Sequence, residues 1–494
     1  MLGLKSCLVF SVLFASIGSE LAAQSKAPKV LIIGIDGLRP DAMMKADTPN
    51  IDALMADGGY SLEARTSRIT VSGPGWSSML TGVWLPKHNV PDNDFRRPAY
   101  DRYPHFFTRL REQKPEAITA AFNSWEPLSK FLVPPAHTSH AVFINYDDGG
   151  DEKLVLLAAG LLANEPLDVV FFYFADVDGA GHNFGFHPDS PEYIAEIEEV
   201  DGQLSLLIDA VRSRVTYEQE DWLILVSSDH GGTLDGSHGR DEPKHRKIPY
   251  IASGSSAARG IIYPTPNVVD IAVTAMTHLG VTIDPAWNLD GVPSGLPRSL
   301  AYDVNLIVNG DAEYALPESD PEVNHGIAGW IDEGAMSTLA YGSNEGYPTS
   351  NDHGCAERGS SFFHGVKGSD CMMTQTIDLG SKAGDIDRGA CGFEFSGWLG
   401  GFAQQRDFAS VIAIFRDENG MELGRDSIGP VTLADRQREI GGEGEALTGL
   451  LHRQTKGTIP KGCRRVELVL ESEVGEGLND GYADDLSFLL VRIN

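Results

Sequence analysis

The chain has 494 residues, of which 39 are lysine or arginine and 70 are aspartate or glutamate, so its formal net charge is −31. Hydrophobic residues make up 42% of the chain and charged residues 22%, which excludes a fully disordered protein and predicts a sizeable core. The negative charge repels phosphate-rich polymers and anionic lipid, so it argues against polymeric nucleic acid and membrane surfaces as partners.

The amino terminus has the pattern of a secretory signal peptide. Lys5 precedes an apolar run over residues 7–17, and small residues follow at Ala22 and Ala23, so we expect residues 1–23 to be removed. The run is too short for a membrane span, and no later segment reaches the roughly 18 uninterrupted apolar residues that a span needs. The pattern predicts a secreted or periplasmic protein without a membrane span.

Four of the five cysteines lie in the last third of the chain, at Cys355, Cys371, Cys391 and Cys463. In an exported chain such a group predicts two disulfide bonds, for which three connectivities exist. Of these we favour the pairs Cys355–Cys371 and Cys391–Cys463.

Residues 27–300 alternate apolar runs of strand length with helical patterns. The runs Lys29 to Ile35, Leu167 to Phe174 and Asp221 to Ser227 are apolar almost throughout, as in strands buried on both faces of a parallel sheet. Ser190 and Pro191 open a helical pattern, and a further helix is predicted over residues 267–279. This alternation predicts an α/β domain: a doubly wound, mostly parallel sheet with helices on both faces.

Residues 304–494 have a different pattern. Short alternating runs such as Val411 to Phe415 and Arg465 to Leu470 are separated by turn signals such as Asp417 to Gly420. The pattern predicts a second, all-β domain folded as a sandwich.

Each of the three buried runs in the first domain ends in a carboxylate. Asp36 follows the first run, Asp178 follows the second with His182 four residues later, and the pair Asp229-His230 follows the third. Ligands bind beyond the carboxyl ends of the strands in open α/β sheets, so these side chains are expected to share one site. With His238 the set holds three aspartates and three histidines, which suits two Zn²⁺ ions. His245 is the alternative to His238.

The segment Thr66 to Gly82 (TSRITVSGPGWSSMLTG) offers a nucleophile for such a site. Ser72 precedes a Gly-Pro-Gly turn that leads into a helix start, where backbone N–H groups favour an anionic substrate and a bound cation lowers the pKa of a hydroxyl. Thr70, Ser77 and Ser78 are rival hydroxyls.

In their order along the chain, these motifs resemble the alkaline phosphatase superfamily. The order is Asp36-Gly37, a Ser-x-Pro turn, Asp178-x-x-x-His182, Ser228-Asp229-His230-Gly231 and a later His-Gly, and it is most similar to the nucleotide pyrophosphatase/phosphodiesterase branch. The resemblance covers about residues 27–300. It implies that Ser72 is the nucleophile, in place of the usual Thr, and that Asn93 holds the transferred phosphoryl group.

The same resemblance implies a ligand set and an activity. Asp36, Ser72, Asp229 and His230 would hold one zinc ion, and Asp178, His182 and His238 would hold the other. The implied function is that of an exported zinc-dependent hydrolase of small phosphate esters, a type I phosphodiesterase or nucleotide pyrophosphatase with a phosphoseryl intermediate.

Three alternatives stay open. A phosphomonoesterase of the same superfamily would want a cation for the additional negative charge, for which Arg39 and Arg68 are candidates. A sulfatase has a similar turn, but its turn ends in Arg where this chain has Trp76. A non-catalytic carbohydrate-binding surface protein is the third alternative.

The carboxy-terminal region resembles the jelly-roll modules, often carbohydrate-binding, that are appended to exported enzymes. The resemblance rests on Asn305 to Glu313, Gly329-Trp330, Thr374 to Leu379 and Asp480 to Phe488. It implies a glycan as a further partner and one structural Ca²⁺ held by Glu313 and Asp485.

Overall fold

The computed structural model describes residues 26–298, 300–313, 327, 329–332, 336–343, 347–356, 358–365, 368, 370–475, 477 and 479–493. The predicted signal peptide, residues 1–23, lies outside the described residues. Among the described residues, none of the helices is both long enough and apolar enough to cross a membrane.

The first part of the chain forms one sheet of eight strands. These are β1 (Ala27–Ile35), β2 (Gly58–Arg65), β3 (Thr119–Asn123), β4 (His140–Phe143), β5 (Val169–Phe174), β6 (Glu220–Ser227), β7 (Lys247–Ser253) and β8 (Gly260–Ile261). Their order across the sheet is β4-β3-β5-β1-β6-β7-β2-β8. Only the pairings of β7 with β6 and with β2 are antiparallel, so the predicted mostly parallel sheet is confirmed.

Ten α-helices accompany this sheet in the described residues. They are α1 (Pro40–Met43), α2 (Pro49–Asp57), α3 (Ser72–Thr81), α4 (Leu85–His88), α5 (Phe106–Gln113), α6 (Gly150–Asn164), α7 (Asp176–Phe184), α8 (Pro191–Arg212), α9 (Pro243–Arg246) and α10 (Asp270–His278). A π-helical turn spans Leu128–Leu132, and 3₁₀ turns span Pro135–His137, Tyr146–Asp148, Tyr217–Gln219 and Pro285–Trp287. α8 begins at Pro191 as predicted, whereas α10 begins three residues later than the predicted 267.

Helices cover both faces of the sheet. Successive side chains of β1 point to opposite faces, and both sets are apolar. Val30 and Ile32 point into a core shared with α3, α5 and α10, whereas Leu31 and Ile33 point into a core shared with α2, α6 and α8. A strand that is apolar at every position can therefore bury both of its faces. Each fully buried side chain of this size contributes about 1.5–3 kcal/mol to stability.

Ten strands lie in the described residues of the second part of the chain. They are β9 (Ile331–Asp332), β10 (Met336–Ala340), β11 (Ser361–Gly365), β12 (Cys371–Asp378), β13 (Cys391–Gly401), β14 (Phe408–Arg416), β15 (Glu422–Ile428), β16 (Gly449–Thr458), β17 (Arg465–Glu473) and β18 (Tyr482–Arg492). The described connections between them include two short helices, α11 (Ala383–Asp387) and α12 (Leu433–Glu439), and 3₁₀ turns at Gly380–Lys382 and Gly444–Leu447.

These strands form two antiparallel sheets that share one core. The sheet orders are β10-β11-β18-β13-β16 and β15-β14-β17-β12-β9. Phe363 and Leu399 of the first sheet and Met373 and Leu470 of the second belong to the same buried cluster. The predicted β-sandwich is therefore confirmed, while its jelly-roll topology stays a prediction.

The predicted disulfide pairs Cys355–Cys371 and Cys391–Cys463 are wrong for this structure, because none of the described cysteines forms a disulfide bond. The sulfur atoms of the three buried cysteines have other neighbours. Cys371 Sγ lies 3.2 Å from Met336 Sδ, Cys391 Sγ lies 3.1 Å from the Tyr302 hydroxyl, and Cys463 Sγ donates to the Arg465 carbonyl. The strand register, which places these side chains, is not legible from cysteine spacing.

Candidate active site

The three predicted aspartates lie at the carboxyl ends of three adjacent parallel strands, β5, β1 and β6. Asp36 follows β1 directly, Asp178 lies in the first turn of α7 behind β5, and Asp229 lies two residues beyond β6. Because parallel neighbours end at the same edge of a sheet, the three side chains converge.

A first group of donor atoms surrounds the Nε2 atom of His230. Asp36 Oδ1 lies 3.3 Å from this nitrogen, and Asp229 Oδ2 and Ser72 Oγ each lie 3.4 Å from it. Asp36, Asp229 and His230 offer ligand atoms that all lie within 4.8 Å of one another, and all three residues are buried. Carboxylate oxygen and imidazole nitrogen are both zinc ligands.

A second group of donor atoms shares His230 with the first. Asp178, His230 and His238 offer ligand atoms within 4.8 Å of one another, and the rings of His230 and His238 stack at 3.9 Å. His182 lies beside this group, because its Nε2 is 3.3 Å from Asp178 Oδ2 and 3.2 Å from His238 Nε2. The four-residue spacing places Asp178 and His182 on one face of α7.

In each of the three histidines, a backbone carbonyl determines that Nδ1 carries a proton. The Nδ1 atoms lie 2.8 Å from Gly236 O for His182, 3.0 Å from Gly231 O for His230, and 2.8 Å from Thr70 O for His238. A carbonyl oxygen only accepts hydrogen bonds, so each Nδ1 is the protonated nitrogen. Each Nε2 is then the ring nitrogen that would ligate a metal ion.

His245 uses its ring differently. Its Nδ1 accepts a hydrogen bond from the Arg240 backbone at 3.2 Å, and the ring lies in α9 outside both donor groups. Of the two histidines that the sequence left open, His238 is therefore the one that the fold brings to the carboxylates.

Three buried carboxylate oxygens of the site have no hydrogen-bond partner among the described residues. They are Asp36 Oδ1, Asp178 Oδ1 and Asp229 Oδ2. Burying an uncompensated neutral polar group costs about 2–7 kcal/mol, and an ionised carboxylate costs more unless a cation or donor compensates it. The residues present therefore fit a metal centre, and the mixed oxygen and nitrogen donors fit zinc.

The electrostatics of the cluster agree with this fit. Burial and the nearby Asp178 charge raise the pKa of Asp36 to about 7, and burial with the charges of Asp36 and Asp178 raises the pKa of Asp229 well above its usual range. Burial also acts to raise the pKa of Asp178, but the hydrogen bond from His182 and the neighbouring imidazoles outweigh it and lower that pKa. Without a bound cation, ionisation of all three aspartates at once costs free energy, because they are buried close to one another.

Ser72 is the hydroxyl that lies at this site. It is the first residue of α3, it is 7% exposed, and its Oγ reaches the first donor group. The rival hydroxyls are engaged elsewhere. Thr70 Oγ1 donates to the Arg240 carbonyl, Ser77 Oγ donates to the Gly73 carbonyl, and Ser78 Oγ lies 3.0 Å from His88 Nε2.

Two glycines allow the Ser72 turn to fit between its neighbours. A Cβ atom on Gly73 would lie 2.5 Å from the Asp92 carbonyl oxygen, and one on Gly75 would lie 2.8 Å from Asp229 Cβ. The Gly73 N–H donates to Asn93 Oδ1 at 2.7 Å. Because that oxygen is engaged, the amide nitrogen of the exposed Asn93 is the group left for a ligand.

Two residues that the sequence did not single out as functional complete the surroundings of Asp36. Trp76 Nε1 and the Tyr173 hydroxyl both donate to Asp36 Oδ2, at 3.0 Å and 2.7 Å. The spacing of four between Ser72 and Trp76 was the available signal, since it places both on one face of α3.

Both arginines that the sequence offered as substrate cations have partners within the protein. The Arg39 guanidinium binds Asp41 and the carbonyls of Phe186 and Gly232, and Arg68 pairs with Asp241 at 2.6 Å.

The predicted calcium ligands lie apart from this site, in the sandwich. The Glu313 carboxylate accepts hydrogen bonds from the backbone and hydroxyl groups of Ser360 and Ser361. Asp485 Oδ2 is buried without a hydrogen-bond partner among the described residues. Calcium binding by these two residues stays a prediction.

Comparison with known proteins gives the same family as the motifs. A model of the family described as "Type I phosphodiesterase / nucleotide pyrophosphatase" matches residues 30–234. The matched range contains Asp36, Ser72, Asn93, Asp178 and Asp229, and it ends before His238.

Among curated relatives, the human "Ectonucleotide pyrophosphatase/phosphodiesterase family member 7" is 24% identical over 251 residues, which cover 47% of this chain and 54% of the relative. The human "Bis(5'-adenosyl)-triphosphatase ENPP4" is 23% identical over 243 residues, covering 46% of this chain and 52% of the relative. The chain thus spans about half the length of the curated relatives it matches.

Among solved structures, murine ectonucleotide pyrophosphatase / phosphodiesterase 5 aligns with a TM-score of 0.38 and 17% identity, over 52% of this chain and 96% of that one. The family match falls on the α/β part of the chain. Residues 30–234 of that part therefore match the type I phosphodiesterase / nucleotide pyrophosphatase family.

Proposed function

We propose that the protein is an exported, zinc-dependent phosphodiesterase that cleaves small phosphate esters through Ser72. The observation that carries the proposal is the convergence of Ser72 Oγ, Asp36 Oδ1 and Asp229 Oδ2 on His230 Nε2 at 3.3–3.4 Å, beside the second donor group. A hydroxyl at the edge of a two-group metal cluster is the arrangement that in-line phosphoryl transfer needs.

Two zinc ions are the proposed cofactors. Asp36, Ser72, Asp229 and His230 would hold one, and Asp178, His182 and His238 would hold the other. When bound, the ions lower the pKa of the Ser72 hydroxyl and neutralise the charge of the transferred group. The three orphaned carboxylate oxygens support this assignment.

The side chains and the helix supply the remaining parts of the mechanism. α3 directs its amino-terminal end at the substrate, where the helix dipole favours an anionic phosphate. The Asn93 amide donates to a non-bridging oxygen while Ser72 Oγ attacks phosphorus and the alcohol leaves. The phosphoseryl intermediate is then hydrolysed by water.

A diester is the proposed substrate class. A phosphate diester carries one negative charge and a monoester up to two, and the second charge would need a further cation. Arg39 and Arg68 are both engaged in other contacts, which favours the diester. The family description names phosphodiesterases and nucleotide pyrophosphatases, which supports the same class.

The other sequence predictions complete the proposal. The amino-terminal pattern supports secretion or export to the periplasm. The β-sandwich is proposed as an accessory domain, and its resemblance to jelly-roll modules supports a glycan ligand and a calcium ion at Glu313 and Asp485.

A substrate panel tests the reaction class. Bis(p-nitrophenyl) phosphate, p-nitrophenyl phosphate and p-nitrophenyl sulfate are each assayed with and without a chelator. We expect the diester to be hydrolysed fastest, the chelator to abolish turnover and zinc to restore it. Faster monoester cleavage would identify a phosphomonoesterase, and sulfate cleavage restored by calcium alone would identify a sulfatase. No turnover of any ester would favour a non-catalytic binding protein.

The nucleophile is tested by Ser72→Ala, with Ser77→Ala as the matched control on the same helix. We expect Ser72→Ala to lower kcat/KM for the diester by about 10³-fold or more, because the attacking atom is lost. Zinc content should stay near the wild-type level, since three ligands of that ion remain. Full activity of Ser72→Ala would move the nucleophile to another hydroxyl of the segment.

A further inference from the structure

Asp36 is held by two side-chain donors that lie behind the site. Trp76 Nε1 donates to Asp36 Oδ2 at 3.0 Å, and the Tyr173 hydroxyl donates to the same oxygen at 2.7 Å. Trp76 is 0% and Tyr173 2% exposed, so no water competes freely for these bonds. The two rings meet edge to face with centroids 5.1 Å apart.

The sheet provides the place for both rings. Gly34 lies opposite Tyr173 in the pairing of β1 with β5, and Asp36 lies two residues further on, on the same face as Gly34. A Cβ atom on Gly34 would lie 2.4 Å from the Trp76 ring. Because Gly34 has no side chain, the indole of Trp76 can occupy the space beside it.

This arrangement gives the two oxygens of Asp36 different tasks. Oδ2 is occupied by two donors, whereas Oδ1 has no hydrogen-bond partner and lies 3.3 Å from His230 Nε2. Rotation of the carboxylate would break both donor bonds, so its orientation is fixed with Oδ1 towards the first donor group.

The indole also connects this carboxylate to the nucleophile. Trp76 follows Ser72 by four residues in α3, so both project from one face of the helix. The hydrogen bond from Trp76 to Asp36 therefore fixes the position of the helix that carries Ser72 relative to the strand that carries Asp36.

We infer that Trp76 and Tyr173 are positioning residues, which orient Asp36 for metal ligation and hold Ser72 beside the same ion. The inference rests on the proposed metal-dependent function. Hydrogen bonds to a ligating carboxylate fix its orientation, and their removal typically weakens metal binding by about 10- to 100-fold.

The test measures zinc affinity of the full chain by competition with a chromogenic chelator. We expect Tyr173→Phe to bind zinc about 10- to 100-fold more weakly than wild type, because one donor to Asp36 is lost with little change in shape. Trp76→Phe should give a loss in the same range. Saturating zinc should restore much of the kcat of Tyr173→Phe, since the nucleophile is intact.

Tyr250→Phe is the matched control. Tyr250 is equally buried in the same part of the chain, and its hydroxyl binds Thr274 and the Ser294 carbonyl instead of a metal ligand. We expect it to leave zinc affinity unchanged. Should Trp76→Phe fail to fold, Tyr173→Phe and its control still decide the question.

Two results would overturn the inference. One is wild-type zinc affinity in Tyr173→Phe, and the other is an equal loss in Tyr250→Phe, which would indicate a general effect of removing a buried hydroxyl. Failure of the proposed function has a separate signature, because the wild-type protein itself would then bind no zinc or cleave no ester.

Discussion

His238 and His245 lie seven residues apart, yet the fold uses their rings in opposite ways. His238 donates through Nδ1 to the Thr70 carbonyl and points Nε2 at His182, whereas His245 accepts through Nδ1 from the Arg240 backbone. The ring of His238 is thus prepared for a metal, and that of His245 supports a loop.

Alanine substitutions separate these roles. We expect His238→Ala to lower the zinc content from about two ions to about one per chain, because a direct ligand is removed. His245→Ala is the control and should retain about two. Elemental analysis of both purified variants gives the answer. Equal zinc loss in the two variants would contradict the assignment of His238.

At the residue scale, the sequence was sufficient to identify the donors and insufficient to identify what orients them. Asp36 and Asp229 are predictable because an apolar run must end where its strand ends. The contact of Trp76 with Asp36 is not predictable, because it depends on how closely α3 crosses β1 above Gly34. The cysteine pairing failed for a related reason, since strand register decides which side chains meet.

At the scale of elements, β6 is anchored at the end opposite to Asp229 by a buried ion pair. Arg214, just beyond α8, binds Glu220 through Nε at 2.7 Å and through Nη2 at 2.9 Å. Trp222 and Thr216 also donate to this carboxylate. Burial acts to raise the pKa of Glu220, but these hydrogen bonds and the Arg214 charge lower it to about 2.

Glu220→Gln tests the contribution of this pair to stability. We expect the free energy of unfolding at pH 7 to fall by about 3 kcal/mol, because Arg214 is left buried without its counter-charge. A carboxylate with a lowered pKa stabilises the folded state above its unfolded-state pKa, and this contribution is lost as the pH falls through its folded-state pKa. The difference between variant and wild type should therefore shrink as the pH falls from about 4.5 towards 2.

Denaturant titrations over this pH range measure the effect, and Glu63→Gln, which removes an exposed partner of Lys247, is the control. The control should change stability by less than about 1 kcal/mol. A difference for Glu220→Gln that does not depend on pH would contradict the assignment.

The strands and longer helices were predictable as elements because their periodicity reports burial directly. β1, β5 and β6 lie within two residues of the predicted runs at each end. The loops that carry Asn93 and His238 follow no period, and their positions depend on close contacts such as that of Gly73 with Asp92.

At the scale of the whole molecule, the chain contains two separate sets of hydrophobic cores. The described cores of the α/β part draw on residues up to 296, and those of the sandwich draw on residues from 300 onward. Tyr263 and Arg465 make a hydrogen bond between the two parts, at 3.0 Å. Separate cores predict separate unfolding transitions.

Removal of the proposed zinc ions should therefore affect one part of the molecule selectively. We expect calorimetry to show two transitions, and 1,10-phenanthroline to lower the midpoint of the α/β transition by at least about 5 °C, because a ligand of the folded state is withdrawn. The sandwich transition is the internal control and should not move. A single transition, or an equal shift of both, would contradict two independently stable parts.

The absent side chain at Gly34 has a consequence for how this protein can change. The Trp76 ring of helix α3 occupies the space beside Gly34 of strand β1 that a side chain at position 34 would fill. Positions 34 and 76 therefore have to change together. A larger residue at position 34 requires a smaller side chain at position 76, and that side chain would no longer donate the indole hydrogen bond to Asp36. Redesign of the nucleophile helix has to begin in the strand beneath it.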